Sequence, residues 1–218
     1  MSNCCAPTPP AADPRYRTIL WIALVLNAAM FLVELAGSAA SGSAALAADA
    51  VDFAGDAGNY ALSLAAIAAG GLWASRAALG KGIAMATYGV GVFAYAAWCM
   101  SVGEPPEPIT MGVIGVLALA VNLGVAVLLY AYRNGDANMR SVWLCTRNDA
   151  IGNLAVLAAA AGVVGTGTLW PDVAVALLMA GLGLWSAREV VGRALVELRR
   201  PDAHRHIAAG SPRHEASR

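Results

Sequence analysis

The sequence predicts an all-α membrane protein in which six transmembrane helices cross the bilayer and both termini lie in the cytoplasm. Hydrophobic residues make up 59% of the 218 residues, and charged residues only 13%. A soluble domain averages about 25% charged residues. Six apolar segments reach about 20 residues, the length that a helix needs to span the hydrocarbon core. Basic residues are concentrated in alternate loops, and this asymmetry sets the orientation.

The six candidate spans follow one another with short breaks. They cover residues 19–38, 43–72, 83–102, 109–132, 139–164 and 169–191. Glycine and proline mark the breaks in order: Gly37 and Gly42, Gly70 and Gly71, Pro105 and Pro106, Gly135, and residues 165–171. The first span is too long for a signal peptide, so we expect it to remain as an anchor. This divides the chain into a disordered N-terminal tail (1–16), a transmembrane domain (17–198) and a short basic tail (199–218).

The orientation follows from the loops that carry positive charge. Basic residues precede the first span, follow the sixth, and lie in the second and fourth loops, where Arg76 and Lys81 belong to the second loop. The remaining three loops have no Lys or Arg, and one of them is acidic, with Glu104 and Glu107. Positively charged loops stay in the cytoplasm. Arg147, inside the fifth span, is the one basic residue that departs from the pattern.

Two spans carry ligand-type side chains spaced four residues apart, on one face of a helix. They are Asp52 and Asp56 in the second span, and Cys145 and Asp149 in the fifth. Acidic side chains in membrane helices are costly and usually functional. The two spans cross in opposite directions, which puts both pairs near the middle of a core about 30 Å thick. Packed together, the spans would offer four ligands to one divalent cation.

The donor set limits which ion fits. Carboxylates with one thiolate suit zinc or cadmium, whereas an all-oxygen set favours manganese or magnesium. Cys145 is either a ligand or a small apolar filler. The ligands must lose their protons to bind metal, so metal entry would expel protons and protonation would expel metal. The alternative is that these aspartates cap helix ends or pair with buried bases.

Four further polar residues could line a path for the ion. Asp49 lies one turn before Asp52 and could be an entry or exit step, or a carboxylate favoured by the helix dipole. Glu34 on the first span is a candidate for a water-filled path. Asn59 and Asn153 could act in the pathway or hydrogen-bond across helices.

Other function classes are disfavoured. The net charge is zero, so no nucleic-acid partner is expected. No nucleophile with a paired base, phosphate loop or membrane His cluster points to an enzyme, and no prosthetic group is expected. The two tails carry Cys and His side chains that could bind metal weakly or could have no role. They are Cys4, Cys5, His204, His206 and His214.

The second span resembles the second helix of the cation diffusion facilitator family, six-helix exporters of divalent metals. In that family small residues lead to an Asp, then a His or Asp, then an Asp four residues later. Here those positions are Asp49, Asp52 and Asp56. The family's fifth helix carries a His or Asp and then an Asp, at positions held here by Cys145 and Asp149. The resemblance covers about residues 15–198.

The resemblance implies a secondary active transporter that exports zinc, with cadmium, cobalt and iron as further candidates, in exchange for protons. It further implies alternating access and a homodimer in membrane lipid, which we expect to be the bacterial inner membrane. Only 20 residues follow Leu198, so we expect a short form without the family's C-terminal cytoplasmic domain. The alternatives are a proton-coupled exporter of another solute, and a non-transporting membrane scaffold or sensor.

Overall fold

The computed structural model describes residues 14–69, 71–133 and 137–199. Most of the two predicted tails therefore lies outside the described residues, including Cys4, Cys5, His204, His206 and His214. Within the described helices, the side chains of 66–69, 71–74, 137–142, 144, 145, 147, 148 and 197 also lie outside the description. The candidate ligand Cys145 and the exceptional Arg147 belong to this group.

Every secondary-structure element in the described ranges is an α-helix, as the sequence predicts. The helices are α1 (Pro14–Ser41), α2 (Ala44–Ala69), α3 (Gly71–Val102), α4 (Pro108–Tyr130), α5 (Ala137–Thr166) and α6 (Trp170–Arg199). Within the described residues, all of them except α2 contain a stretch long and apolar enough to cross a membrane. The exception, α2, carries the three aspartates. The chain is a multi-pass, all-α membrane protein.

The helices form a closed group of four with a pair packed on its side. In the group, α1 packs on α2, α2 on α5, α5 on α4, and α4 back on α1. The pair is α3 and α6, which contact each other extensively and also contact α2; α6 contacts α5 as well. The helix that carries the aspartates, α2, is thereby covered by α1, α3, α5 and α6. This arrangement shields its aspartates from lipid.

Contacts at two levels show that α2 and α5 run antiparallel, as predicted. Near the start of α2, Leu46 shares a buried cluster with Val156 of α5. Further along, the hydroxyl of Tyr60 lies 2.7 Å from that of Thr146. Residue numbers therefore rise along α2 while they fall along α5. Asp56 and Asp149 lie between these two contacts.

The N-terminus of α2 is fixed by a carboxylate from α6. The side chain of Asp172 accepts hydrogen bonds from the Ser43 hydroxyl at 2.5 Å and from the backbone N–H groups of Ala44 and Ala45 at 2.8 and 3.1 Å. The Ser43 hydroxyl in turn accepts a hydrogen bond from the Leu46 N–H at 3.1 Å. These bonds satisfy donors that a helix start leaves unpaired. They also tie the register of α2 to α6.

The third helix begins earlier than predicted. The sequence placed Arg76 and Lys81 in a loop before a span at 83–102, but α3 starts at Gly71 and includes both residues. No proline interrupts this stretch, so nothing in the backbone ends the helix there. Arg76 is exposed, whereas Lys81 is half-buried against α2. A basic residue inside a membrane bundle can satisfy its charge against protein rather than in a loop.

Candidate functional site

A cavity of about 460 Å³ lies where the α3–α6 pair meets α2 and α5. Most of its lining is small or apolar, including glycines of α2, α5 and α6. Its polar lining comes from all four helices: Asp52, Asp56 and Asn59 of α2, Lys81 of α3, Asp149 of α5 and Ser186 of α6. The cavity combines an apolar wall with a few convergent polar groups, the usual character of a small-ligand site.

Three of the four predicted ligands meet at this cavity. Asp149 lies close enough to Asp52 and Asp56 to interact with both electrostatically, and all three side chains line the cavity. Asp56 is only 6% exposed. One oxygen of Asp56 and one of Asp149 have no hydrogen-bond partner among the described residues. Carboxylates this close repel each other when ionised, and a proton or a cation relieves the repulsion.

The fourth predicted ligand, Cys145, has a side chain outside the described part of the structure. Its backbone lies on α5 one helical turn before Asp149. Among the described residues, no group of three or more His, Cys, Asp or Glu side chains is arranged so that it could hold a metal ion. The carboxylates are thus brought together without forming a closed coordination shell. An ion would have to draw them closer around itself.

The candidate pathway residues separate into two places. Asn59 lines the cavity and accepts a hydrogen bond from the Lys81 ammonium. Asn153 does not line it; its side-chain oxygen accepts a hydrogen bond at 3.3 Å from Asn122 of α4. This bond joins α4 to α5 inside the four-helix group.

Glu34 and Asp49 also lie outside the cavity lining, between α1 and α2. Both side chains have no exposed surface, and they are close enough to interact electrostatically. All four of their oxygens lack a hydrogen-bond partner among the described residues. A buried carboxylate without a partner is costly. This acidic pair continues the line of α2 carboxylates toward the helix N-terminus.

Sequence reasoning missed two polar residues of the cavity. The charge pattern predicts a loop at Lys81, and no motif marks Ser186 as functional within the apolar sixth span. The available signal for Lys81 was the unbroken helical stretch on both sides of it. Nothing in the local pattern around Ser186 distinguishes it from a serine that packs against a neighbouring helix.

Comparison with known proteins finds two curated relatives. They are the metal cation efflux system protein CzcD of Cupriavidus metallidurans (strain CH34) and the cation efflux system protein CzcD of Alcaligenes sp. (strain CT14). Each is 29% identical to this chain over 178 residues, which cover 76% of the chain and 55% of the relative. The chain therefore spans about half the length of these relatives. No model of a known protein family matches it.

Proposed function

We propose that this chain belongs to the cation diffusion facilitator family and exports a divalent metal cation from the cytoplasm in exchange for protons; its 29% identity to two curated efflux proteins supports the proposal. Both relatives are named as cation efflux proteins, and that shared name supports metal as the cargo. The zinc specificity, the proton coupling and the bacterial inner membrane are parts of the same proposal.

The observation that carries the proposal is the meeting of Asp52, Asp56 and Asp149 at one cavity inside a membrane protein. Counted from the helix starts at 1.5 Å per residue, the three residues lie roughly 12 to 18 Å along their helices. That depth is near the middle of a core about 30 Å thick. Transporter sites commonly lie near the midplane between membrane helices.

Carboxylates at such a site provide the coupling between metal and protons. A carboxylate binds a metal ion only after it has lost its proton. Because three neighbouring carboxylates repel one another when ionised, protons replace a departing cation and leave when a new cation arrives. Protonation on one side of the membrane and metal binding on the other would therefore drive exchange.

Zinc is the first ion to test. Three carboxylates with one thiolate from Cys145 would form a mixed set that suits a borderline cation. Without the thiolate the set is all oxygen, and the preference moves toward harder ions. Cadmium, cobalt and iron are therefore measured beside zinc.

The test is flux through the purified protein in liposomes that contain a pH-sensitive dye, with a zinc-sensitive dye outside. We expect zinc movement in one direction to accompany proton movement in the other. Asp56→Asn and Asp149→Asn remove a charge while keeping the side-chain shape, and both should reduce flux to the level of protein-free liposomes. Glu189→Gln is the matched control, because Glu189 is an exposed acid on α6 paired with Arg193.

Two outcomes would contradict the proposal in different ways. Full zinc flux in both aspartate variants would remove these residues from the site. No flux of zinc, cadmium, cobalt or iron through the folded wild-type protein would favour a proton-coupled exporter of another solute.

A further inference from the structure

Lys81 brings a positive charge into the cavity that holds the three carboxylates. Its ammonium donates a hydrogen bond to the side-chain oxygen of Asn59, one turn after Asp56 on α2. The same side chain lines the cavity with Asp52, Asp56 and Asp149. A cation fixed to the protein thus lies beside the place proposed for a transported cation.

The side chain of Lys81 packs against the α2 backbone at Gly58, where the facing helix has no side chain. A Cβ atom added at Gly58 would lie 3.1, 3.2 and 3.4 Å from the Cδ, Cγ and Cε atoms of Lys81. One turn away on α3, Met85 packs on α2 at Gly55, where an added Cβ would lie 3.1 Å from the Met85 Cε atom. The absence of a side chain at Gly58 lets the Lys81 stem lie against the α2 backbone, which directs the ammonium toward Asn59.

The charge acts on the carboxylates as well as on Asn59. The ammonium of Lys81 interacts favourably with the carboxylates of Asp52 and Asp56 across the cavity. In a partly buried setting such interactions are only weakly screened. The ammonium would repel a divalent cation that approached the same carboxylates.

We propose that Lys81 is a tethered competitor of the transported cation, which lowers the affinity of the carboxylate site and favours release. This inference rests on the proposed function and adds to it a residue on α3 that sets affinity. A site made only of carboxylates would hold a divalent ion tightly. A built-in positive charge keeps binding weak enough for the ion to leave, as conduction through a binding site requires.

The test compares metal binding to full-length variants in detergent, with zinc and cobalt as probes in isothermal titration calorimetry. Lys81→Met removes the charge but keeps an unbranched stem over Gly58, and Lys81→Gln does the same with a polar end. At an effective dielectric of about 20, removing a unit positive charge from the cavity that holds a divalent ion favours binding by more than about tenfold. We therefore expect both variants to bind metal at least about tenfold more tightly than the wild type.

Two further variants separate charge from shape. Lys81→Arg keeps the positive charge and should keep an affinity close to that of the wild type. Arg76→Gln removes an exposed charge from the same helix and should leave the affinity unchanged. In liposomes, Lys81→Met should also lower the KM for metal and slow maximal flux, because release becomes limiting.

The binding results test the role of Lys81 separately from the proposed metal export. Metal binding that Asp149→Asn abolishes but that neither neutral Lys81 variant strengthens would overturn the role of Lys81 and leave the proposed function standing. No binding to the wild type or to either neutral variant would overturn both. If Lys81→Met fails to elute as a folded species, Lys81→Gln supplies the decisive affinity.

Discussion

Asp172 is the residue on which the placement of the α2 aspartates most directly depends. It is 1% exposed, and its carboxylate accepts hydrogen bonds from the start of α2. A negative charge at a helix N-terminus is also favoured by the helix dipole. Since unpaired backbone donors are costly within a membrane, this contact fixes α2 along its own axis. Asp52 and Asp56 then face Asp149 rather than a neighbouring residue.

Replacing Asp172 by alanine should destabilise the protein. Three donors would lose a charged acceptor, and hydrogen bonds to charged groups contribute about 1.5–3 kcal/mol each. We expect Asp172→Ala to lower the unfolding temperature in detergent by several degrees, and Asp172→Asn, which keeps one acceptor oxygen, by less. Glu189→Ala removes an exposed acid from the same helix and is the control. Equal unfolding temperatures for Asp172→Ala and the wild type would show that the cap does not contribute to stability.

At the residue scale, spacing located the carboxylates but not the lysine. Asp52 and Asp56 lie four residues apart, so helix geometry alone puts them on one face. Because α2 and α5 cross the membrane in opposite directions, Asp149 is expected at the same depth as this face. No spacing pattern marks Lys81 as a cavity residue, because a basic residue near an apolar segment usually marks a loop. The unbroken helical stretch around Lys81 indicates only that the residue is helical. Its position depends on Gly58 of another helix, and no pattern local to α3 contains that information.

The α3–α6 pair is held together by glycines at which the helices approach closely. A Cβ at Gly82 would lie 2.7 Å from Cγ2 of Val191 and 3.3 Å from its backbone nitrogen. A Cβ at Gly89 would lie 2.9 Å from Cδ2 of Leu184. Small residues allow such close packing of membrane helices. The close packing of α3 on α6 therefore requires glycine at positions 82 and 89.

Gly82→Val should push α3 away from α6. The backbone nitrogen of Val191 cannot move aside as a flexible side chain can, and overpacking costs about 1–3 kcal/mol. We expect a lower unfolding temperature in detergent and reduced metal flux, because α3 and α6 both line the cavity. Gly80→Val is the matched control, since a Cβ there meets nothing within 4 Å. Similar losses in both variants would point to helix propensity rather than packing.

At the element scale, the number of helices was predictable and their ends were not. Apolar runs identify the part of a helix inside the hydrocarbon, which is why six segments were found. The helices continue past that part; α6, for example, runs to Arg199 where the predicted span ended at residue 191. Arg193, within this extension, forms a surface pair with Glu189, which lies just before it. Hydropathy alone cannot separate such helical extensions from loops.

For the whole molecule, the charge pattern predicts which side of the membrane each loop faces. Glu104, between α3 and α4, should lie outside, and Arg133, after α4, should lie in the cytoplasm. In a variant with its four cysteines changed to serine, Glu104→Cys should react with a membrane-impermeant maleimide on intact cells. Arg133→Cys should react only after the membrane is permeabilised. The opposite pattern would reverse the orientation, and with it the direction of the proposed export.

The arrangement of whole helices could be predicted only in part. Opposite crossing directions for α2 and α5 followed from counting spans, and the structure contains them. The placement of α3 and α6 as a pair that completes the cavity did not follow, because it depends on packing between distant segments. Glycine contacts such as the one between Gly82 and Val191 determine it.

The position of α2 among four other helices also has a consequence for how the protein is made. Three of those helices, α3, α5 and α6, are synthesised after α2. An aspartate at the centre of a lone helix opposes insertion by about 2.5–3.5 kcal/mol, and α2 carries three. When α2 leaves the ribosome, only α1 is present to cover it, and Glu34 of α1 lies against Asp49 in the finished protein. The helix that carries these three aspartates must therefore be held by α1, or by the insertion machinery, until the later helices arrive.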